Sequence, residues 1–522
     1  MNTIIKTDPA VTSGANKSFW IATAPDLRFS PIADNIKTDV LVVGGGIAGL
    51  TTAYMLLKQG RKVVLVEDGL LGSGESGRTT AHLASALDNR YYFLEETFDA
   101  ASAKLAAESH VAAIEMIASI IRAENIECSF KRVDGYLFLH PSDKKENLDK
   151  EFDATQRAGL QTYLESNVPG IANGSHVRCI KFSNQAQFHV TKYLAGLAEA
   201  IVNLGGMIYT ETRAKDVNIH GAKANSFKID AEHIVIATNT PANDLFTMHT
   251  KQHAYRSYVI GFKINKDVLP HLLWWDSGDA DSKWVSQPYH YVRLENLDDN
   301  YDLLIAGGED HKTGQAEDEN IPEEQRYVKL EAWTREHFPA VEDVAYKWSG
   351  QIMEPLDCLG YLGKNPGDEN IYIITGDSGN GMTHTTIGAK IITDIITGVS
   401  NPWEKLYSPS RITLNVAGDY LKETGNMAKQ YLDILLPSHL KEVKKLKPGE
   451  GGVITSGVSK VAVYIDENNS VHKFSAICPH LGCVVKWNAD EKSFDCPCHG
   501  SRFNGQGTVM NGPAMSGLSV IE

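Results

Sequence analysis

The sequence predicts a chain of mixed architecture, with α/β and α+β parts first and a small all-β part last. Three observations support this prediction. A strand, glycine turn, helix and second strand occupy residues 39–67, and another strand, glycine turn and helix occupy 371–397. Four cysteines crowd between Cys478 and Cys498. At 522 residues the chain exceeds one ordinary core, so two or more domains are expected.

The first glycine turn has the pattern of a dinucleotide-binding site. Val40 to Val43 reads as a buried strand, and Gly44, Gly46 and Gly49 supply the glycines of G-x-G-x-x-G before the helix. These glycines permit the tight bend, the approach of a pyrophosphate and close helix–strand packing. Glu67, 18 residues after Gly49, ends the next strand, where a carboxylate accepts hydrogen bonds from a ribose. A ligand-free turn is the alternative, and the flanking elements disfavour it.

Composition and charge exclude several classes of function. With 42% hydrophobic and 22% charged residues the chain is globular and not disordered. Its net charge of −15 repels phosphate backbones and anionic membrane surfaces, so nucleic acid is not expected as a partner. The first twenty residues lack the apolar run of a secretory signal, and no later stretch reaches transmembrane length. We therefore expect a cytoplasmic protein without membrane insertion.

The loop after Glu67 makes the first motif more specific. Gly72 to Ala86 is rich in small residues and hydroxyls and contains Arg78. Together with Val-Val-Gly-Gly-Gly-Ile-Ala-Gly-Leu at 42–50, this loop resembles the FAD-dependent amine and amino-acid oxidoreductases of the D-amino-acid oxidase and glycine oxidase superfamily. The resemblance implies FAD as a cofactor. It also implies a two-domain fold, in which a Rossmann-like FAD-binding part is joined to a substrate-binding sheet.

The resemblance further implies a set of cofactor-binding residues in several segments. The first turn contributes Gly44, Gly46, Ile47, Ala48 and Gly49, the second strand Glu67 and Asp68, and the loop Ser76, Gly77, Arg78, Thr79, Thr80, Ala81 and His82. Later segments contribute Ala214, Ala237, Thr238, Gly376, Asp377, Gly379, Asn380, Gly381, Met382 and Thr383. A covalent link between FAD and His82 is not expected.

The expected domain layout follows from the same resemblance. The oxidoreductase spans 1–400, with FAD-binding parts near 36–90, 190–245 and 350–400 and substrate-binding parts near 91–189 and 246–349. A connector over 401–447 and a last domain over 448–522 follow. Periodicity predicts helices over 95–123 and near 151–165.

The aromatic-rich segment 255–362 supplies the catalytic candidates. Tyr291, Arg293 and His311 are the candidates, although such strands more often form core and Glu-Asp-His more often forms a polar turn. Amino-acid-specific members of the superfamily hold the substrate carboxylate with an arginine whose place is taken here by Gly379. We therefore expect an amine without a carboxylate, or one whose carboxylate is held by Arg293.

The tail carries a second chemical site in two short boxes. They read Cys478-Pro-His480-Leu-Gly-Cys483 and Cys496-Pro-Cys498-His499-Gly-Ser501. In an intracellular chain such crowding indicates a metal before a disulfide scaffold, and two Cys with two His suit zinc.

The spacing of the boxes is more specific than zinc requires. Cys-x-His with Cys-x-x-His, and one further Cys in each box, resembles the Rieske ferredoxin domain of the cytochrome bc type, which holds a 2Fe-2S cluster through two Cys and two His. The resemblance implies an all-β Rieske domain in which a disulfide joins Cys483 and Cys498. The implied cluster ligands are Cys478, His480, Cys496 and His499.

Two redox centres in one chain define the expected function. A flavin accepts a hydride, whereas a 2Fe-2S cluster carries one electron. We expect a dehydrogenase in which a small amine or amino compound transfers a hydride to FAD N5 and the imine is hydrolysed. Electrons then pass singly through the Rieske centre to an external acceptor. Two alternatives stay open: the Rieske centre feeds the flavin for a reductive or oxygen-dependent reaction, or the chain is a non-enzymatic redox sensor or electron-transfer module.

Overall fold

A computed structural model describes residues 13–25, 27–241, 248, 250–284, 287–316, 321–434, 436, 440 and 443–521. The end of the predicted FAD-binding part 190–245 and residues 435, 437–439 and 441–442 of the predicted connector lie outside the described residues. The described strands form four sheets, of eight, nine, three and four strands.

In the described part of residues 1–400 the structure has seventeen strands and eight α-helices. The strands are β1 (Ile36–Val43), β2 (Val63–Val66), β3 (His82–Leu83), β4 (Lys131–Phe138), β5 (Thr162–Asn167), β6 (Ser175–Gln187), β7 (Met207–Tyr209), β8 (Ala214–Asn218), β9 (Gly221–Ala224), β10 (Phe227–Ile236), β11 (Gln252–Asn265), β12 (Leu273–Asp276), β13 (Tyr291–Asn296), β14 (Tyr301–Lys312), β15 (Val344–Pro355), β16 (Tyr361–Lys364) and β17 (Ile371–Thr375). The helices are α1 (Phe19–Ala22), α2 (Ile47–Lys58), α3 (Tyr91–Thr97), α4 (Ala100–Ala123), α5 (Lys145–Arg157), α6 (Val190–Asn203), α7 (Glu323–His337) and α8 (Gly381–Thr397).

The eight-stranded sheet has the order β16-β17-β10-β1-β2-β7, with the β8–β9 hairpin beside β10. Strands β7, β2, β1, β10 and β17 run parallel to one another, whereas β16 and β9 pair antiparallel with β17 and β10. The last four residues of β1, Val40 to Val43, are all buried, as expected for a parallel strand covered on both faces. Because the carboxyl ends of parallel strands meet at one edge, this sheet creates a ligand crevice there.

The nine-stranded sheet has the order β15-β11-β14-β13-β12-β4-β6-β3, with β5 beside β6. Helix α7 packs on β11 and β14. Tyr258, Ile260 and Phe262 of β11 belong to the apolar cluster shared with α7, whereas Val259 belongs to the larger core shared with the FAD half. Because side chains alternate along β11, one face of the sheet packs on α7 and the other face packs on the core shared with the FAD-binding half.

Two predicted helices differ from the structure. The predicted helix over 95–123 is interrupted between α3 and α4, where the carboxylate of Asp99 accepts a hydrogen bond of 2.7 Å from the Ser102 N–H and caps α4. The prediction near 151–165 is wrong in its second half. Helix α5 ends at Arg157, Gly159 follows with φ +83°, and residues 162–167 form strand β5 against β6.

The last domain consists of two small antiparallel sheets. The strands are β18 (Gly451–Ser456), β19 (Ser459–Ile465), β20 (Val471–Ser475), β21 (Lys486–Asn488), β22 (Ser493–Asp495), β23 (Arg502–Asn504) and β24 (Val509–Asn511). β18, β19 and β20 form one sheet, and β21 to β24 form the other. The all-β prediction for this domain is confirmed.

The segment before this domain is attached to both neighbours. It contains α9 (Glu404–Tyr407) and α10 (Ala417–Leu432). From α10, the Tyr431 hydroxyl donates a hydrogen bond of 2.8 Å to the Leu481 carbonyl oxygen, and the Asn426 amide donates one of 3.2 Å to Gln315. The predicted connector therefore holds the last domain against the oxidoreductase. Within the described part of the chain, each helix is either too short or too polar to cross a membrane.

Candidate functional site

A large cavity opens at the carboxyl ends of the parallel strands, and we call it the main cavity. Its walls come from residues within 43–48, 66–88, 212–214, 237–240, 257–291, 350–352, 374–385 and 509–515. The last segment belongs to the C-terminal domain, so both domains enclose the cavity.

The first glycine turn is too tightly packed for side chains. Gly44 has φ +112°, and a Cβ there would lie 2.4 Å from the Ala237 carbonyl oxygen. A Cβ on Gly49 would lie 1.9 Å from the Gly44 carbonyl oxygen. The turn can therefore follow β1 closely and aim the start of α2 at the main cavity, as phosphate binding requires.

Two polar side chains organise this end of the main cavity. The Ser76 hydroxyl accepts a hydrogen bond of 3.0 Å from the Ile47 N–H at the start of α2. The Glu67 carboxylate accepts hydrogen bonds from the N–H groups of Gly45, at 2.6 Å, and Gly69, at 2.9 Å. Burial, with a smaller effect of Asp68, raises the pKa of Glu67 to about 8. The carboxyl is thus held at the end of β2, where a ribose hydroxyl would meet it.

Nearly all of the predicted cofactor-binding residues line the main cavity. Four do not: Gly49 lies behind the turn, Gly77 faces the Gly72 carbonyl, Ala81 is buried, and the Thr383 hydroxyl is bonded to His110. His82 lines the cavity and has both ring nitrogens in hydrogen bonds, to Thr80 at 3.0 Å and to the Val292 carbonyl at 3.3 Å.

Of the three catalytic candidates, Tyr291 alone lines the main cavity. Its hydroxyl lies 2.6 Å from the Ser257 hydroxyl. Arg293 is fully buried elsewhere, and its guanidinium donates to Glu295 and to the carbonyl oxygens of Ala81 and Phe188. The structure thus corrects the prediction that Arg293 contacts substrate, because its donors are used within the core.

His311 also lies outside the main cavity, which corrects the third candidate. Its ring stacks on Tyr258 at 5.7 Å, and burial together with the Arg326 charge holds its pKa well below the ordinary value. The imidazole is a neutral part of the packing beneath the sheet.

The corner at Gly379 explains the missing substrate arginine. Gly379 has φ +70°, and a Cβ there would lie 1.6 Å from the Asp88 Oδ2 atom. Asp88 is bonded to the Tyr289 hydroxyl, and burial raises its pKa to about 6. A carboxyl therefore occupies the place where a basic side chain was expected in amino-acid-specific relatives.

The sequence did not identify several residues at this end of the cavity. Asp88, Trp275, Tyr289 and Gln351 line it, and each comes from a different element. Asp88 lies two residues after the predicted loop 72–86, so its position next to that loop could have indicated it. Tyr289 begins the run 289–293 that supplied the candidates Tyr291 and Arg293, whereas Trp275 and Gln351 carry no motif, because only the pairing of distant strands brings them to the cavity.

The two Cys/His boxes form adjacent loops in the C-terminal domain. The Cys478 carbonyl accepts the Gly482 N–H at 3.0 Å, and the Cys496 carbonyl accepts the Gly500 N–H at 3.0 Å, so each loop is a closed turn. The Cys478 thiol lies within hydrogen-bonding reach of the Cys496 thiol. The rings of His480 and His499 are 5.0 Å apart and perpendicular.

The remaining two cysteines brace these loops. Cys483 and Cys498 form the disulfide that the resemblance implied. Their sulfur atoms and that of Cys496 lie within 4.8 Å of one another, but the disulfide removes two of the three as metal ligands. The buried thiols of Cys478 and Cys496, the buried His499 and the half-buried His480 remain in the two loops, a donor set that fits a Rieske 2Fe-2S cluster.

The cluster loops touch the wall of the main cavity. The Gln351 side chain lines the cavity, and its Nε2 donates a hydrogen bond of 3.1 Å to the Gly500 carbonyl next to His499. Ala514 also lines the cavity, and its N–H donates a hydrogen bond of 3.0 Å to the Ser501 hydroxyl. Ser501 in turn hydrogen-bonds to Cys478.

A buried ion pair holds the two domains together. The guanidinium of Arg78 lies 2.8 Å from the Glu491 carboxylate, and both side chains are inaccessible to solvent. Arg78 also donates to the Ser13 hydroxyl and the Ser349 carbonyl, while the Ser349 hydroxyl donates to Glu491. Arg78 was predicted as a cofactor residue, and the structure directs its guanidinium to the domain interface.

Comparison with known proteins agrees with this architecture. Residues 39–395 match the family model described as FAD dependent oxidoreductase, and residues 437–522 match the Rieske 2Fe-2S domain. The Rieske 2Fe-2S iron-sulfur protein YhfW of Bacillus subtilis is 30% identical over 517 residues, which cover 97% of this chain and 98% of that protein.

Two further similarities concern the oxidoreductase part. Gamma-glutamylputrescine oxidoreductase of Escherichia coli is 23% identical over 398 residues, covering 73% of this chain and 89% of that protein. The crystal structure of L-proline dehydrogenase from P. horikoshii superposes with a TM-score of 0.58 at 18% identity, covering 72% of this chain and 98% of that one. The chain therefore belongs to the FAD-dependent oxidoreductase family and carries a C-terminal Rieske 2Fe-2S domain, so that its cofactors are FAD and a 2Fe-2S cluster.

Proposed function

We propose that this protein is an amine dehydrogenase that passes electrons through its own Rieske centre to an external one-electron acceptor. The observation that carries the proposal is the contact between the cluster loops and the main cavity. Gln351 and Ala514 each line the cavity, and each is hydrogen-bonded to the residue pair Gly500-Ser501 beside the ligand His499. Such contacts supply a short route between the two cofactors.

The charges at the substrate end favour an amine. The described arginines that line the main cavity are Arg78 and Arg213. Arg78 is bonded to Glu491 at the domain interface. Arg213 lies at the ribose end of the cavity, because the N–H of the preceding Thr212 donates a hydrogen bond to the Glu67 carbonyl oxygen. Asp88 instead faces the substrate end, where it would attract an ammonium group. The E. coli relative is named for gamma-glutamylputrescine, a compound derived from an amine, and this name is consistent with the proposed substrate class.

The reaction must balance two electrons from the substrate against one-electron carriers. The carbon–nitrogen unit loses a hydride and a proton to become an imine, and water converts the imine to a carbonyl compound and a free amine. Bound FAD supplies the hydride acceptor, and the 2Fe-2S cluster supplies single-electron transfer to two equivalents of the external acceptor. In this chain, Asp88 would hold the substrate ammonium and accept its proton, while Tyr289 and Tyr291 would orient the carbon chain.

An anaerobic screen of primary, secondary and methylated amines tests the proposal. We expect a substrate to bleach the flavin absorption without added reductant, and the electron paramagnetic resonance signal of the reduced cluster to rise after it. Bleaching without any cluster signal would reject the internal electron route. Absence of bleaching with every amine would reject the dehydrogenase itself.

A pair of glutamines allows a matched test of the route. Gln351 contacts both the main cavity and the Gly500 carbonyl, whereas Gln315 donates a hydrogen bond of 2.9 Å to the Pro497 carbonyl without lining the cavity. We expect Gln351→Leu to slow cluster reduction several-fold after normal flavin bleaching, and Gln315→Leu to have a smaller effect. Equal effects of both variants would contradict a route through Gln351.

The two alternative functions make different predictions. If the Rieske centre feeds the flavin, an external reductant would reduce the cluster first and amines would not bleach the flavin. If the protein is a redox sensor, the substrate end would be filled by side chains. Tyr289, Tyr291 and Trp275 instead border open space there, which favours a substrate-binding protein.

A further inference from the structure

A second cavity adjoins the substrate end of the main cavity, and we call it the side cavity. Its volume is about 480 Å³, and it shares Asp88, Tyr289, Ile352 and Gly379 with the main cavity. These four residues therefore form a common border. A ligand that reaches from one cavity into the other has to pass these four residues.

The side cavity is strongly acidic. The carboxyl groups that line this cavity outnumber the basic groups. The basic residues are Arg90 and Lys283, and the acidic residues are Asp88, Asp143, Glu151, Asp310 and Glu354. Arg90 donates to the carbonyl oxygens of Leu87 and Asp276, which fixes it on the wall. When ionised, these carboxyl groups attract cations into the cavity.

One carboxyl group that lines the cavity has an oxygen atom without a hydrogen-bond partner among the described residues. Asp310, at the end of β14, is 5% exposed, and no hydrogen-bond donor in the described part of the chain reaches its Oδ1 atom. Its other contact is the Ser257 hydroxyl, which is also bonded to Tyr291 in the main cavity. A buried, unsatisfied carboxyl oxygen is costly, and a cationic ligand would remove that cost.

A second carboxyl lies close by and is better satisfied. Glu354 accepts hydrogen bonds of 2.8 Å from Asn89 and 2.8 Å from Ser378. Burial, and to a smaller extent the Asp88 charge, raises the pKa values of both Glu354 and Asp310, so Asp88 lies near each of them. All three carboxyl groups line the side cavity.

We propose that the side cavity binds a second ammonium group of the substrate through Asp310 and Glu354, so that the preferred substrate is a diamine or polyamine. This inference rests on the proposed amine oxidation and adds the substrate class. One nitrogen reaches the flavin side of the border, and the other is held on the far side. A monoamine of the same chain length lacks the second contact.

Putrescine and n-butylamine are the probes, and the holoenzyme is the sample. We expect putrescine to half-saturate anaerobic flavin bleaching at a concentration at least about tenfold lower than n-butylamine does, as charge-assisted hydrogen bonds require. We also expect putrescine to raise Tm more than n-butylamine at equal concentration. Equal behaviour of the two amines in both measurements would overturn the inference.

Two buried aspartates on β14 provide matched variants. Asp310→Asn should abolish the preference for putrescine. Asp302→Asn should preserve it, because Asp302 is equally buried, also has an unpartnered Oδ1 and lines neither cavity. Glu354→Gln is the second test variant if Asp310→Asn fails to fold. A preference that survives both Asp310→Asn and Glu354→Gln would overturn the inference.

The pH dependence supplies a test without mutation. Burial raises the pKa of Asp310 to about 7 and that of Glu354 to about 8, and binding a cation requires them to ionise. Putrescine should therefore bind more tightly as pH rises from about 6 to about 8, by up to about tenfold per unit for each carboxyl that ionises. The other charged groups around Asp310 and the cavity are Asp143, Glu151, His290, Glu309, Arg90 and Lys283. Binding that is flat or weakens over this range would overturn the inference.

The two proposals fail in different ways. Bleaching by n-butylamine and putrescine alike would leave amine oxidation standing and reject the side-cavity site. A putrescine-specific rise in Tm that disappears in Asp310→Asn, without bleaching by any amine, would support the site and reject the oxidation.

Discussion

The domain interface and the side cavity both bury carboxyl groups, but the pKa values of these groups shift in opposite directions. At the interface, burial alone would raise the pKa of Glu491, yet the charges of Arg78 and Arg256 lower it to about 2. In the side cavity, burial raises the pKa of Asp310 to about 7 and that of Glu354 to about 8. Glu491 has an arginine 2.8 Å away, whereas burial dominates at Asp310 and Glu354 and the His290 charge only partly offsets it at Asp310.

The opposite pKa shifts distinguish a carboxylate with a structural role from carboxyl groups suited to bind a cationic ligand. A buried ion pair with several further hydrogen bonds holds two surfaces in one arrangement, and breaking it leaves an uncompensated charge. An unpaired buried carboxyl lowers the stability of the free protein, a cost that is tolerated at binding sites. Changes at the interface and in the side cavity test this contrast, and an exposed ion pair elsewhere serves as the reference.

The largest effect is expected from Arg78→Ala at the interface. The change leaves Glu491 buried without its partner and should lower the free energy of unfolding by about 3 to 5 kcal/mol. Denaturant titration measures the loss, and the FAD content should fall because Arg78 also lines the main cavity. Glu491→Gln, which keeps the size of the side chain, is the companion variant. A loss below about 1 kcal/mol would contradict a structural role for the pair.

Acid should weaken the interface next. The pKa of Glu491 is lower in the folded protein than its ordinary value of 4.5, so its stabilising contribution is present above about pH 4.5 and is lost as the pH falls toward about 2. The expected loss is about 3 kcal/mol. Denaturant titrations at stepwise pH should show a steeper fall for the wild type than for Glu491→Gln. Parallel curves would show that Glu491 is not the group that titrates.

An effect of opposite sign is expected from Asp310→Asn. Because the folded pKa of Asp310 is raised from 3.8 to about 7, ionisation destabilises the free protein as the pH rises through this range. The asparagine variant avoids that cost, so it should exceed the wild type in stability by up to about 4 kcal/mol near pH 8 and nearly match it near pH 4. Thermal unfolding without amine measures the difference. A variant less stable than the wild type at pH 8 would contradict an unpaired carboxyl.

The smallest effect is expected from Arg28→Ala, which serves as the exposed reference. Arg28 and Glu211 are 3.3 Å apart with 48% and 40% of their side chains exposed. Solvent screens such a pair, so the free energy of unfolding should change by less than about 0.5 kcal/mol. Adding salt should not alter the Arg78→Ala result but should remove any effect of Arg28→Ala. A loss as large as that of Arg78→Ala would undo the distinction between buried and exposed pairs.

The parts of the molecule differ in how far sequence reasoning could reach. The turn at Gly44, Glu67 and the two Cys/His boxes were predictable because each site is built from residues close together in the chain. Arg293 and His311 were wrongly placed because a charged residue in a strand has the same local pattern whether it faces a cavity or a buried partner. The strand over 162–167 was mistaken for helix because its pairing with β6 outweighed the local pattern.

By itself, the sequence determined that two cofactor sites exist, since glycine turns and metal ligands obey short-range geometric rules that spacing reveals. Only the tertiary structure decided that Arg78 would pair with Glu491 across 413 residues, and that Asp88, Asp310 and Glu354 would line one cavity. Burial and pairing of charges depend on which distant surfaces come together, and no local pattern encodes that contact.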